Sequence, residues 1–471
     1  MTQFTMTDLQ QAAGWIAGAR ISGPDGAASR AFSRVLTDSR TVQPGDLFVA
    51  LRGERFDAHD FLADVVARGA AAVLVEREPD AGLGIPAIVV PDTRLALGQL
   101  AAGWRRRFSL PAVAVTGSNG KTTVKEMIAA IFAAAVGEGA RLATGGNLNN
   151  DIGLPLTVLR LTDAHRLAVL ELGMNHPGET VYLAGIAQPT VAVVTNAQRE
   201  HQEFMVSVEA VAHEHAAAIA ALPADGVAVF PLDAEGGGAH AGIWRHAAGQ
   251  RRVLSFGLDA GADVSAGVHL EDGVQVMQVR APGAAFEVRL SVLGTHNVRN
   301  ALAAVACALG AGVGVEAIRA GLAGFAAVKG RLQVKHAAGG TLVIDDSYNA
   351  NPDSVRAAID VLAGFAAPRL LVLGDMGEVG DQGPAFHAEI GAYASARGIE
   401  TLWATGAAVV HAVQAFGAQA RHFERAEDLA QALAEDKDGT VAAASAVLVK
   451  GSRFMRMERM VDALVADTPA H

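Results

Sequence analysis

Short apolar runs broken by glycine, proline and charge recur along the whole chain. Near the start they fall at 46–51, 70–75 and 87–90, which predicts strands joined by short helices. A second group opens at 112–115, a short buried strand followed by a glycine-rich turn and then an apolar helix to about Val136. Strand-like runs return at 167–170 and 191–195. Residues 207–222 read as a helix, with Ser207 as its N-cap and Glu209 in its first turn. A third group has strands at 342–344, 370–373 and 447–449, again with helices between them. Strands alternating with helices predict an α/β architecture with a parallel sheet. The stretch 104–111 and the start of the third group near Lys329 divide the chain into 1–107, 108–328 and 329–471. No internal repeat is visible, and the glycine patch Glu235-Gly236-Gly237-Gly238-Ala239 reads as a surface loop.

Composition narrows the class. At 471 residues the chain exceeds one ordinary core, so two to four domains are expected. With 51% hydrophobic and 18% charged residues it is a folding sequence, not a disordered one. The net charge of −11 argues against a general nucleic-acid binder but leaves room for local phosphate sites. A single cysteine, Cys307, excludes an internal disulfide, and its apolar neighbours predict a buried, inert thiol. No signal sequence and no uncharged run of about 18 residues stand out, so a cytoplasmic protein without membrane insertion is expected. Lysine is scarce: Lys121, Lys125, Lys329, Lys335, Lys437 and Lys450 are all there are.

The turn after 112–115 carries chemistry. Gly117-Ser118-Asn119-Gly120-Lys121-Thr122-Thr123 lies between a predicted strand and a predicted helix, the context a phosphate loop needs. Successive backbone N–H groups make an anion nest, and the helix N-terminus adds unpaired donors. The helix dipole contributes only about 0.3–1 kcal/mol at exposed sites. Lys121 and a magnesium ion are therefore expected to neutralise most of the phosphate charge, with Thr122 as the hydroxyl on the metal. The strict eight-residue pattern would place glycine at 115, where Val115 stands.

With Thr116 in front, this loop resembles that of the Mur ligase family, which joins amino acids or peptides to a UDP-linked muramoyl precursor. Further strings carry the resemblance in order. Glu171-Leu172-Gly173-Met174-Asn175-His176-Pro177-Gly178-Glu179 is similar to the family's second magnesium segment, in the form of the member that adds D-alanyl-D-alanine. It implies Glu171 as a metal ligand, with His176 and Glu179 near substrate. Thr195-Asn196-Ala197-Gln198-Arg199-Glu200-His201 resembles the motif that ends in a magnesium-binding histidine, which implies that role for His201. Many members carry a carbamylated lysine fourteen or fifteen residues further on; here His215 stands there, and no lysine occurs from 126 to 328. Imidazole suits magnesium poorly, so a water-mediated or hydrogen-bonding role is expected for His215, with His213 facing elsewhere.

Gly294-Thr295-His296-Asn297 resembles an adenine-contacting segment, implying Asn297, with His296 and Asn300 as secondary candidates; capping of the helix by asparagine is the alternative. Gly330-Arg331 matches a family arginine that reaches the nucleotide phosphates. Asp345-Asp346-Ser347-Tyr348-Asn349-Ala350-Asn351 implies a ribose contact from Asp345 or Asp346, and Tyr348, Asn349 and Asn351 near an incoming dipeptide. Gly374-Asp375-Met376-Gly377 and Lys450-Gly451-Ser452-Arg453 match as well. Near the start, Asp38-Ser39-Arg40 resembles the uridine-nucleotide domain, and Asn147 to Asn150 the loop that meets the substrate diphosphate and peptide. The candidate substrate contacts there are Ser39, Arg40, Asn147 and Asn150.

The resemblance implies three domains: an N-terminal α/β uridine-nucleotide domain, a central parallel-sheet P-loop ATPase domain and a C-terminal Rossmann-like α/β domain. It implies ATP and Mg2+ as cofactors, and UDP-N-acetylmuramoyl-tripeptide and D-alanyl-D-alanine as substrates of a monomeric ligase. The sister ligase that adds the third residue carries an Asp-Asn-Pro-Arg string that is missing here. Folylpolyglutamate synthetase lacks the opening uridine domain. A nucleotide-gated scaffold that hydrolyses ATP without ligating is the alternative from another class.

Overall fold

The structure, a computed structural model, describes residues 5–200, 203–271, 274–337 and 339–465. Three larger sheets organise it. The first has five strands, in the order Arg20–Ser22, Ala87–Val89, Ala72–Val75, Asp46–Val49 and Arg34–Leu36. Its four later strands run parallel, and Arg20–Ser22 pairs antiparallel at the edge.

The central sheet has nine strands. Six of its pairings are parallel, and Ala112–Thr116 lies between Leu167–Glu171 and Val191–Val194. These strands are buried on both faces and rich in valine and alanine, as a covered parallel sheet requires. The sheet is not parallel throughout. Val264–Glu271, Val274–Ala281 and Ala284–Leu290 close it as an antiparallel meander. Their exposed outer positions dilute the apolar runs, which is why no strands were expected there.

The third sheet has six strands. Leu342–Asp346, Ala446–Lys450, Arg369–Gly374, Thr401–Thr405 and Ala420–Phe423 run parallel, and Gln333–His336 pairs antiparallel at one edge. The α/β class with several parallel-sheet units is therefore the observed one.

Packing between the sheets is uneven. One continuous apolar core joins Leu47, Leu74 and Ile88 of the first sheet to Leu97 and Trp104 of the helix Thr93–Arg105. The same core continues into Ala114, Leu170 and Val194 of the central sheet. Trp104 Nε1 donates to Leu161 O, and buried Arg105 donates to Ala187 O and Gln188 O. The third sheet has its own two cores, one on each face.

The helix Lys121–Val136 leaves the glycine turn and packs against Thr295–Gly310 and Val315–Ala323. Gly321 lies directly on the Ile131 backbone, where a Cβ would collide with Ile131 Cα. Cys307 is fully buried in the same layer, and burial pushes its thiol well above the usual range. Gly321→Ala is therefore expected to destabilise the protein by about 1–3 kcal/mol, as overpacking against a backbone does. Denaturant unfolding of the two proteins measures the difference.

Candidate active site

The glycine turn closes the strand Ala112–Thr116 and starts the helix Lys121–Val136. Its two glycines are required. Gly117 and Gly120 both have positive φ, and a Cβ would strike Thr195 Oγ1 at the first and Asn300 Oδ1 at the second. The end of the neighbouring strand braces the turn. Ser118 N donates to Asn196 O at 3.1 Å, and Asn119 N donates to Asn196 Oδ1 at 2.8 Å. Thr195 Oγ1 and Asn196 Nδ2 both donate to Asn119 O, at 2.7 and 3.0 Å. Gln198 N donates to Ser118 Oγ, and Asn119 Nδ2 donates to Gln198 Oε1. The glycine patch expected as a surface loop instead forms two tight turns, Ala234–Gly236 and Gly238–His240, packed against Asn196.

The ammonium of Lys121 folds back onto Gly117 O and Ser118 O, with Glu200 Oε2 at 3.4 Å. Glu200 is itself buried, and its Oε1 lies 2.9 Å from His215 Nε2. His215 is fully buried, and its Nδ1 meets Thr116 Oγ1 at 2.9 Å. Both ring nitrogens are thus engaged, so His215 acts through hydrogen bonds that tie the strand before the turn to the carboxylate beside Lys121. His213 is exposed on the other side of the helix Val208–Ala220.

Glu171 ends the strand Leu167–Glu171 and faces the turn. Its Oε1 accepts from Asn149 Nδ2 at 2.9 Å and from Thr122 Oγ1 at 3.2 Å. Its backbone N–H is fixed by Thr144 Oγ1, and Lys125, also fully buried, holds Thr144 O. Glu171 Oε2 is buried with no hydrogen-bond partner. An orphaned carboxylate oxygen beside a threonine hydroxyl is a hard-oxygen donor set that fits magnesium, which takes one or two protein ligands plus phosphate and water. Among the described residues no cluster of three or more acidic, histidine or cysteine side chains could hold a metal by itself. His201, the other expected ligand, lies outside the described residues.

Each of the three larger sheets, with the helices packed on it, makes one unit of the chain, and the third unit supplies the opposite wall. Arg331 Nη2 donates to Thr122 Oγ1 at 3.0 Å, and its guanidinium lies 4.4 Å from the Tyr348 ring centroid. Asn351 Nδ2 donates to Asn119 Oδ1 at 2.9 Å, so the phosphate loop touches the third unit directly. Together these groups line a cavity of about 1640 Å³. Ser118, Asn119, Gly120, Lys121, Thr122 and Thr123 border it, as do Asn147, Asn150, Glu171, Asn297, Arg331, Tyr348, Asn349 and Asn351.

Family models match three stretches of the chain: "Mur ligase family, catalytic domain" at 31–105, "Mur ligase middle domain" at 115–308, and "Mur ligase, glutamate ligase domain" at 330–453. The chain belongs to the Mur ligase family. A UDP-N-acetylmuramoyl-tripeptide--D-alanyl-D-alanine ligase of Escherichia coli (strain K12) is 41% identical, over 91% of this chain and 93% of its own. A crystal structure of MurF from Acinetobacter baumannii superposes with a TM-score of 0.89 at 37% identity, covering 98% of this chain and 99% of that one. MurF ligase from Thermotoga maritima in complex with ADP gives 0.79 at 27% identity, covering 92% and 96%.

Several Mur-family expectations change in detail. Asp345 turns away from the cavity: it is buried, accepting from Lys335 Nζ at 2.7 Å and from the Ser347 hydroxyl. Of the two aspartates it is Asp346 that borders the cavity, where it pairs with Lys450 and burial pushes its carboxyl upward. Gly117 does not border the cavity, and its part is conformational. Asn297 does not cap its helix, since Gly294 holds that position; its Nδ2 donates to Leu293 O and its Oδ1 accepts from Asn300. His296, beside it, is pushed down to about 4 by burial and by Lys450 and Arg299 nearby. Asn150 borders the cavity, and its Oδ1 accepts from Gly153 N at 2.8 Å where the helix Gly153–Val158 begins. Ser39 and Arg40 sit in a turn of the first unit outside this cavity, with Arg40 paired to Asp38.

Asn149, Glu200 and Lys450 were not singled out from the sequence. Each stood inside a matched string, but only the fold shows which member of the string points inward. His215→Ala is expected to leave Glu200 and Thr116 short of a buried partner and to cost about 1–3 kcal/mol. His215→Gln, which can keep one of the two contacts, is expected to cost less. Urea unfolding at unchanged m-value checks the order.

Proposed function

We propose that this chain joins D-alanyl-D-alanine to UDP-N-acetylmuramoyl-tripeptide at the expense of ATP, giving the UDP-muramoyl-pentapeptide, ADP and phosphate. The observation that carries this reading is the meeting of three groups in one cavity. They are a braced phosphate loop, a carboxylate with a free oxygen, and an arginine from a separate unit. Relatives named for this reaction cover more than nine-tenths of the chain and support the choice of substrates.

The chemistry uses these parts in order. Backbone N–H groups at the helix start and Lys121 take the phosphates, with Lys121 released from its loop carbonyls. Thr122 and Glu171 would hold magnesium, which would supply charge neutralisation on the phosphates, with His201 as the proposed second-metal ligand. A carboxylate is a poor acylating agent because oxide is a poor leaving group. The tripeptide carboxylate therefore attacks the γ-phosphorus and ADP departs, leaving an acyl phosphate. The dipeptide amine then adds to the acyl carbon, and the tetrahedral intermediate expels phosphate and a proton. Lys121 and Arg331 offset the repulsion between two anions that must approach closely.

Asn297 serves the adenine side, and Arg331 the nucleotide phosphates. Tyr348, Asn349 and Asn351 serve the dipeptide. Ser39, Arg40, Asn147 and Asn150 serve the UDP-tripeptide. The three stretches 1–107, 108–328 and 329–471 divide these tasks in a monomer. No described helix is long and apolar enough to cross a membrane, and peptidoglycan precursor synthesis in the cytoplasm is the proposed setting.

Phosphate release tests the reading. It is expected only when ATP, the UDP-tripeptide and D-alanyl-D-alanine are all present. Release at the same rate with ATP alone would favour the scaffold reading and overturn this one. Lys121→Ala is expected to lower turnover by about a hundredfold or more, as loss of a charge-stabilising donor does. Its unfolding midpoint should stay near that of the parent.

A further inference from the structure

Arg199 stands between two residues that serve the phosphate loop, Gln198 and Glu200, yet its own side chain reaches into the third unit. Its backbone N–H donates to Asp353 Oδ2 at 2.9 Å. Its Nε lies 3.1 Å and its Nη2 2.6 Å from Asp353 Oδ1. Its Nη1 donates to Glu389 Oε2 at 2.7 Å, and Nη2 also reaches Glu389 Oε1 at 3.1 Å. The guanidinium lies 5.2 Å from the Phe386 ring centroid. Every guanidinium nitrogen is therefore used, against two carboxylates and a ring of the third unit. Only arginine's planar fork can make that set.

What Arg199 grips decides its role. Asp353 lies in the first turn of the helix Pro352–Ala363, whose N-cap is Asn351. Asn351 exchanges hydrogen bonds with Asn119 of the phosphate loop. Tyr348 and Asn349, three and two residues ahead of Asn351, border the cavity, and Tyr348 backs Arg331. One helix start is thus pinned to the phosphate-loop layer at two points, and the residues leading into it form the wall across from Lys121.

We infer that Arg199 is a positioning residue for the second half-reaction. By holding Asp353 and Glu389 it sets Tyr348, Asn349 and Asn351 at the distance from the phosphate loop where an amine can meet the activated carboxylate. Arg199 touches no reacting atom itself. The inference rests on the ligase reading and assigns the amine-donor side to that wall.

Phosphate release by the full chain is measured against D-alanyl-D-alanine concentration at saturating ATP and UDP-tripeptide. Binding of a non-hydrolysable ATP analogue is measured beside it. Arg199→Ala is expected to lower kcat/KM for the dipeptide by about tenfold or more, the scale of losing one partner of a close interface charge pair. The analogue should still bind within about twofold of the parent value, because the loop's own braces are untouched. Arg199→Lys, which keeps the charge but cannot fork, should fall between. Adding Asp353→Asn to Arg199→Ala should cost little more than Arg199→Ala alone, since both remove one contact.

Parent-like kcat/KM for the dipeptide in folded Arg199→Ala would overturn the inference. So would an equal fall in analogue affinity, or losses that multiply in the double variant. If Arg199→Ala does not fold, Arg199→Lys and Asp353→Asn are judged by the same dipeptide and analogue readouts. A parent enzyme that releases no phosphate with all substrates present would instead fail the ligase reading itself.

Discussion

A glycine turn binds phosphate only if something else holds it open, and here the end of a neighbouring strand does so. Thr195 and Asn196 satisfy the carbonyl of Asn119 and two of the turn's N–H groups before any ligand arrives, and Gln198 holds the side chains of Ser118 and Asn119. Both segments leave the carboxyl ends of adjacent parallel strands, where an open α/β sheet places its ligands. The braces fix the turn, and the turn fixes Lys121 and Thr122. Through Thr122 the order passes to Glu171 on the strand to the other side and to Arg331 from the third unit. Remove the Asn196 contacts and each later placement loses its reference.

Charge inside the cavity is mixed and largely paired. Two of the chain's six lysines border it with Arg94, Arg199, Arg299, Arg331, Arg356 and Arg453, among the carboxylates of Asp92, Asp151, Glu171, Glu179, Glu200, Asp346, Asp353, Asp360 and Glu378. These cations are not idle in the described state. Lys121 rests on loop carbonyls, Lys450 on Asp346 and Arg331 on Thr122. An arriving phosphate exchanges one set of partners for another, so little charge is left stripped of both water and partner on either side of the exchange. His215 fits the same logic. Its buried ring bridges Thr116 and Glu200 and so holds Glu200 close to Lys121.

The loop was legible because a continuous apolar run leads straight into glycine, and the parallel strands flanking it because they are continuous apolar runs. The antiparallel meander from Val264 to Leu290 was not, since one of its faces meets water and the apolar signal thins to every second residue. The site divides in the same manner. Lys121, Thr122, Glu171 and Arg331 converge as the motifs implied. Asp345 and Asp346 differ by one residue on a strand, and alternation sends one inward to Lys335 and the other to the cavity. No motif states which. Arg199, Asp353 and Glu389 come from distant stretches of sequence, and only tertiary folding brings such charges together.

The apolar core that runs unbroken from the first sheet into the central one has a consequence for what the enzyme can measure. Leu47 and Val194 are part of one packed interior, so the first unit cannot hinge on the second without opening it. The third unit, with separate cores, meets them through polar contacts that can be exchanged. The protein is therefore built like a caliper with one welded jaw. The span from the first unit to the phosphate loop is a fixed length. Any molecule held by the first unit would reach the phosphate loop only if its own length matched that span.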